Sequence, residues 1–141
     1  MTQIEISELT KIYSVDKSTI VAADNISLKI EKGEFLSIVG HSGSGKTTLL
    51  SMIGGIIRPT SGRVLYEGTD ICSLVDDNLS EYRNEKIGFM FQFASLLPIL
   101  TAKENVLLPG LFGSQGKLNN DKKAAEFLQM LGIGDKVNAY P

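Results

Sequence analysis

Histidine and cysteine occur once each, proline four times, and tryptophan not at all. A single cysteine, Cys72, excludes an internal disulfide and a cysteine-built metal site, and reads as a small half-buried residue. Basic residues are not in excess: 14 Lys+Arg stand against 16 Asp+Glu, a net charge of −2. That balance leaves nothing to neutralise a phosphodiester backbone, so no nucleic acid partner is expected. No apolar run approaches the ~20 residues that span a bilayer. The first residues, Met1, Thr2, Gln3, Ile4 and Glu5, are too polar for a secretory leader. A cytoplasmic compartment is expected. Repeats and low-complexity segments are also missing. What remains is 141 residues with 43% hydrophobic content, enough for one ordinary domain with a core.

The chain is organised around residues 40–48: Gly40, His41, Ser42, Gly43, Ser44, Gly45, Lys46, Thr47 and Thr48. Two glycines with four residues between them, followed by Lys-Thr, form the phosphate-binding loop pattern. An apolar run at 35–39 precedes it, predicted as a strand, and a helical run from Thr48 to Ile53 follows. The spacing has a physical reason. A di- or triphosphate needs several backbone N–H groups pointing inward together. Glycines let the chain bend tightly and approach the oxygens. The helix directs its positive end and free amides to the same place. Lys46 adds a mobile charge for the outer phosphates, and Thr47 offers a hydroxyl to Mg2+. A flexible Gly/Ser-rich loop is the alternative, and the spacing alone arises by chance in roughly 0.5% of chains this long. His41 lies inside the loop, and its side chain is expected to point out of it rather than act as a base.

Upstream, residues 4–13 read as extended. Residues 19–21 read as a second strand after a polar turn at 16–18. Ile26, Leu28 and Ile30 alternate with polar residues as a half-buried strand. The first third is thus predicted to be a small antiparallel sheet. Tyr13 within it serves either sheet packing or stacking on a purine.

Downstream, Gly54 and Gly55 stop the loop helix. Residues 63–67 read as a short strand, 75–85 as a polar helix and 87–91 as a second core strand. Gln92 follows directly, where ligands of open α/β sheets collect; it is either a loop residue or a contact for a metal ion and a water. Residues 96–100 read as an exposed or semi-exposed apolar loop. Thr101 and Glu104 have the spacing of a capping box. Asn120 is placed as the cap of a last helix, whose apolar face is Ala124, Phe127, Leu128 and Leu131; Gly132 ends it.

These motifs, in this order, resemble the ATP-binding subunits of ABC transporters over essentially the whole chain. Tyr13 falls at the family's adenine-stacking position. Asn25, Ile26, Ser27, Leu28 and then Lys32, Gly33, Glu34 lead into the loop as in the family. Pro59, Thr60, Ser61 and Gly62 match the turn after its helix, and Phe91 and Gln92 match its Q-loop. Leu96, Leu97, Pro98, Leu100, Thr101, Ala102, Glu104, Asn105, Val106, Leu108 and Pro109 are most similar to the branch of MacB- and LolD-type ATPases.

The resemblance implies an incomplete α/β P-loop NTPase core of ABC type. Its parts would be an antiparallel β subdomain at 1–34, a P-loop core at 35–92, and the Q-loop with the start of a helical subdomain at 93–141. ATP and Mg2+ are the implied cofactors. Tyr13 and residues 40–48 would hold the nucleotide, and Lys46 and Gln92 would act in catalysis. Thr47 and Gln92 would bind the metal. The implied partners are a membrane-spanning permease subunit, met through residues 92–100, and a second ATP-binding subunit. The location would be peripheral, on the inner face of the cell membrane. The implied function is ATP-driven transport, in the direction of export or of lipoprotein or peptide efflux. The alternatives are a fragment that binds nucleotide without turnover and a cell-division type of ABC ATPase. An unrelated P-loop kinase or GTPase would need base-reading or lid motifs not found here.

Three family elements have no counterpart in the sequence: the signature loop, the Walker B carboxylates and the switch histidine. They would lie beyond Pro141, so the chain reads as the front of a longer protein. Without them, the 141 residues alone are expected not to hydrolyse ATP.

Overall fold

Long alternating stretches near the start make the first two elements strands, and their nearness in sequence makes them partners. β1 (Thr2–Val15) and β2 (Ser18–Glu31) pair antiparallel over their length. β3 (Ser61–Tyr66) pairs with the other side of β1, and β4 (Thr69–Asp70) closes the edge, giving the order β2-β1-β3-β4. The structure, a computed structural model, describes all residues except 16–17, 94 and 112–119, and no side chain at 111 or 120. The polar turn read at 16–18 therefore lies largely outside the described residues, as does most of the glycine-containing stretch after Pro109.

The two strands read at 19–21 and 26–30 are one continuous β2, and their boundary survives only as bulges. Between the pairs Lys11–Ala23 and Ile12–Val21, β2 carries one extra residue, Ala22. Asn25, at φ 48°, lies in a second irregularity. A bulge bends and twists a strand without ending it. On β1 the irregularity falls at Glu8, φ 51°, whose amide donates to Ser27 Oγ at 2.9 Å. Gly62 closes on this spot. Its φ is 82°, and an ideal Cβ on it would overlap the Glu8 carbonyl oxygen, so the turn after Pro59 requires glycine.

The chain divides into two units, Met1–Arg83 and Asn84–Pro141. In the first, the buried apolar side chains are Ile6 and Leu9 of β1, Val64 of β3, and Leu49, Met52 and Ile53 of α1 (Lys46–Ile53). Ala23 of β2, Ile71, from a 3-10 turn, and Leu79 and Tyr82, from α2 (Asp76–Lys86), complete the set. Cys72 is half-buried, and burial pushes its thiol pKa up, the condition of an inert packing residue. α2 clamps the end of α1: Tyr82 Oη donates to the Ile53 carbonyl at 3.1 Å and Arg83 Nη1 to that of Gly55 at 2.9 Å. Burial, with Tyr66 nearby, pushes the Tyr82 phenol up to about 12. At Gly55, φ 66°, the amides of Gly55 and Ile56 return to the carbonyls of Met52 and Ser51, a Schellman stop.

Two predicted strands are corrected. Residues 35–39 and 87–91 join no ladder among the described residues. Phe35, Val39 and Met90 are 95%, 87% and 95% exposed, so these runs are not in a core either. Apolar pattern supplies a buried face, but a strand also needs a neighbour to satisfy its backbone. Consecutive antiparallel strands find theirs across a turn. Parallel core strands depend on distant sequence, and none of the described residues fills that place.

The second unit is helical: α3 (Ala102–Leu107), a 3-10 turn (Leu108–Leu111), α4 (Asn120–Met130) and a second 3-10 turn (Gly134–Lys136). Asn120 is the first helical residue rather than the cap before it, and its side chain lies outside the described set. The predicted apolar face of α4 is only half-buried. Ala124 and Leu128 are buried, whereas Phe127 and Leu131 are exposed. Gly132, φ 74°, ends the helix with the amides of Gly132 and Ile133 on the carbonyls of Gln129 and Leu128.

Candidate nucleotide site

Residues 40–45 form a turned loop that is neither a strand nor a helix, and α1 starts at Lys46. Gly43 and Gly45 have φ of 79° and 85°. Left-handed residues in a tight turn are the backbone from which anion nests are built, and here two glycines in that conformation flank Ser44. Gly45 is required for a second reason. An ideal Cβ on it would overlap the carbonyl oxygen of Ala22, the extra residue of the β2 bulge. The bulge thus seats the loop directly against the sheet.

The start of α1 carries no side-chain cap and no acidic residue. Among the described residues, no acceptor meets the amides of Lys46, Thr47 or Thr48; the first helical bond runs from the Leu49 amide to the Gly45 carbonyl at 2.9 Å. Lys46 Nζ lies over the loop, donating to the carbonyls of Gly40 at 2.9 Å and His41 at 2.6 Å, with Ser44 Oγ at 3.4 Å. An ammonium, three free amides and the Thr47 hydroxyl at an exposed helix start suit a phosphate chain with its cation. This donor set fits the phosphates of a nucleotide with Mg2+: phosphate oxygens would complete the coordination that one hydroxyl begins. No cluster of three or more His, Cys, Asp or Glu occurs among the described residues, so no separate metal cage competes. His41 is exposed.

Tyr13 lies near the end of β1, opposite Ile20, with its side chain 39% exposed. It shares the first unit with residues 40–48. Gln92 is exposed, sits outside regular structure, and belongs to the second unit.

Sequence reasoning passed over three residues. Ala22 acts through its carbonyl, which no side-chain pattern announces. Lys11 places Nζ 5.2 Å from the centroid of the Tyr13 ring; its position two residues before Tyr13, on the same strand face, was a usable signal. Asn105 organises the apolar loop. Its Nδ2 donates to the carbonyls of Leu97, Leu100 and Thr101 at 3.0–3.1 Å, and its Oδ1 accepts from the Leu97 amide at 2.8 Å. Around that frame Leu96, Leu97 and Ile99 are exposed.

Residues 23–141 match the ABC transporter family. The chain is 41% identical over 138 residues to the macrolide export ATP-binding/permease protein MacB of Hyphomonas neptunium, covering 98% of this chain and 21% of that one. It is 39% identical to the lipoprotein-releasing system ATP-binding protein LolD of Syntrophotalea carbinolica, covering 98% of this chain and 61% of that one. Among solved structures, the dimeric post-hydrolysis state of the ATP-binding cassette MJ0796 of Methanocaldococcus jannaschii, bound to ADP and Pi, matches with a TM-score of 0.90 at 40% identity. The match covers 98% of this chain and 61% of that one. The chain spans 59–62% of the length of several curated relatives that are ATP-binding proteins. With a phosphate-loop geometry at residues 40–48 and these likenesses over nearly its whole length, the chain belongs to the ABC transporter ATP-binding family.

Proposed function

We propose that these residues are the nucleotide-gripping part of an ABC ATPase that drives transport across a membrane. The uncapped start of α1, with Lys46 folded over it, carries this reading. The amides of Gly43 and of residues 45–48 would hold the phosphates, and the Lys46 ammonium would stabilise charge on the outermost one. The Thr47 hydroxyl would bind Mg2+, and the ring of Tyr13 would stack on adenine. Gln92 would reach the metal and orient the attacking water. Mg2+ supplies charge neutralisation along the phosphates when bound.

The segment around residues 92–100, with Leu96, Leu97 and Ile99 exposed, would meet a membrane-spanning permease subunit, and a second ATP-binding subunit would complete the engine; the MJ0796 cassette is dimeric. No helix of the described residues is long and apolar enough to cross a membrane, so the membrane-spanning part would belong to a partner or to sequence outside these residues. Relatives named for macrolide export and lipoprotein release favour outward transport or extraction as the branch.

Catalysis by these 141 residues alone is a separate matter. After Gln92, no acidic residue follows an apolar run, so no carboxylate stands where one would polarise water. Binding without turnover is the expected behaviour.

The test is titration of the purified chain with a fluorescent ATP analogue, with phosphate release followed in parallel. Lys46→Ala should weaken binding at least about tenfold, or about 1.4 kcal/mol. Unchanged affinity would remove the site. Steady phosphate release from the wild-type chain would refute the absence of turnover while leaving the binding site standing.

A further inference from the structure

Tyr13 sits on a piece of β1 that the sheet does not fully hold. β3 pairs with β1 only as far as Thr10, opposite Ser61. Beyond that point the turn after α1 replaces the missing strand. The Thr60 amide donates to the Thr10 carbonyl at 2.8 Å, and the Ile12 amide donates to Thr60 Oγ1 at 2.9 Å. Lys11 adds the third tie, with Nζ on the Arg58 carbonyl at 2.8 Å. That carbonyl is itself a fixed point. The Arg58 guanidinium donates to the carbonyls of Cys72 and Leu74 at 3.0 and 3.1 Å and to Asp76 at 3.2 Å.

The same Lys11 ammonium lies 5.2 Å from the Tyr13 ring centroid, within cation–π range. One hydrogen bond therefore anchors a charge against one face of the ring. A cation there restrains rotation about the ring's side-chain torsions. It also draws π density toward itself, leaving the far face less negative and better matched to an electron-rich purine. We propose that Lys11, tethered to the Arg58 carbonyl, is a positioning residue that orients Tyr13 for a purine base and so raises the preference for ATP over a bare triphosphate. The inference rests on the reading of Tyr13 as the base-stacking residue. Lys11 acts through the ring and touches no phosphate.

The experiment compares MgATP with inorganic tripolyphosphate, each bound to the purified wild-type chain and to Lys11→Met, Lys11→Arg, Tyr13→Ala and the Lys11→Met/Tyr13→Ala double variant. Lys11→Met should lose about threefold in affinity for ATP, the scale of an exposed cation–π contact, with tripolyphosphate unchanged. Lys11→Arg should restore the preference, and Lys11→Met should cost nothing further once Tyr13 is alanine. A proton NMR readout needs no ligand: the Lys11 ε-methylene signal should lie upfield in wild type and return to its ordinary position in Tyr13→Ala. Equal losses for both probes in Lys11→Met would make Lys11 a general attractor of anions and overturn the proposal alone. Selective loss in Tyr13→Ala without any in Lys11→Met would do the same. Equal losses for both probes in Tyr13→Ala would overturn the stacking reading, and the inference with it. A wild-type chain that takes neither probe would overturn the phosphate site itself.

Discussion

Two helix starts in this chain are built in opposite ways. At α3 every early amide is answered. Thr101 Oγ1 accepts from the Glu104 amide at 3.3 Å, and the Glu104 carboxylate accepts from the Thr101 amide at 2.8 Å, the reciprocal capping box. The amides of Ala102 and Lys103 go to the carbonyls of Ala139 and Val137. At α1 nothing among the described residues does this work: a glycine stands at the cap, and the amides of Lys46, Thr47 and Thr48 meet no acceptor. Orphan amides at a helix start have a cost unless something meets them. Where the chain has met them itself, the helix start is structural. Where it has placed glycine, lysine and threonine and no acid, the start has the form that the proposed phosphate site needs.

The sharpest way to break the contrast is to cap α1 as α3 is capped. At an ordinary helix start, glycine to serine is neutral or mildly stabilising. Gly45→Ser should instead destabilise the first unit by more than about 1 kcal/mol, because the new Cβ meets the Ala22 carbonyl and the backbone is left-handed. A urea midpoint for the variant at or above wild type would show that the loop is free of the sheet.

A smaller change is expected from uncapping α3. Thr101→Ala should cost about 1 kcal/mol, the usual loss for an N-cap threonine. Amide exchange should rise at residues 104–106 and stay constant in α1. Equal acceleration of both helices would deny the difference between them.

The smallest effect is with pH. Hydrogen bonds from the backbone amide and the hydroxyl of Thr101 hold the Glu104 carboxyl below its usual range. A depressed carboxyl pKa contributes stability that is fully present above the unfolded value, about 4.3, and is lost as pH falls through the lower folded value. Protection of α3 should therefore decline from about pH 4 downward. Glu104→Gln should abolish that decline, and an identical profile in the variant would remove the carboxylate from the cap.

The two starts also differ in how far the sequence discloses them. The phosphate loop is legible because its glycines, lysine and threonine are contiguous. Thr101 and Glu104 are legible because the partners of a capping box lie only three positions apart. The acceptors at Val137 and Ala139 are not, since they lie more than thirty positions from the amides they meet. The same rule explains the sheet. The β1–β2 pairing follows from neighbouring alternating stretches, but the continuity of β2 through its bulges does not, because a bulge is a property of register between strands. Residues 35–39 and 87–91 look like strands by composition, yet backbone pairing is decided by what lies alongside. Ala22 is the limiting case: its role belongs to a carbonyl that every residue type possesses.

Asn105 carries a consequence of its own. One carboxamide fixes the path from Leu97 to Thr101 through main-chain atoms only, so the side chains along that path contribute little to its shape. Leu96, Leu97 and Ile99 can then be exchanged for other residues while the contour persists. A lineage could change the surface chemistry of this corner one tip at a time, and the scaffold under it would not have to be reinvented.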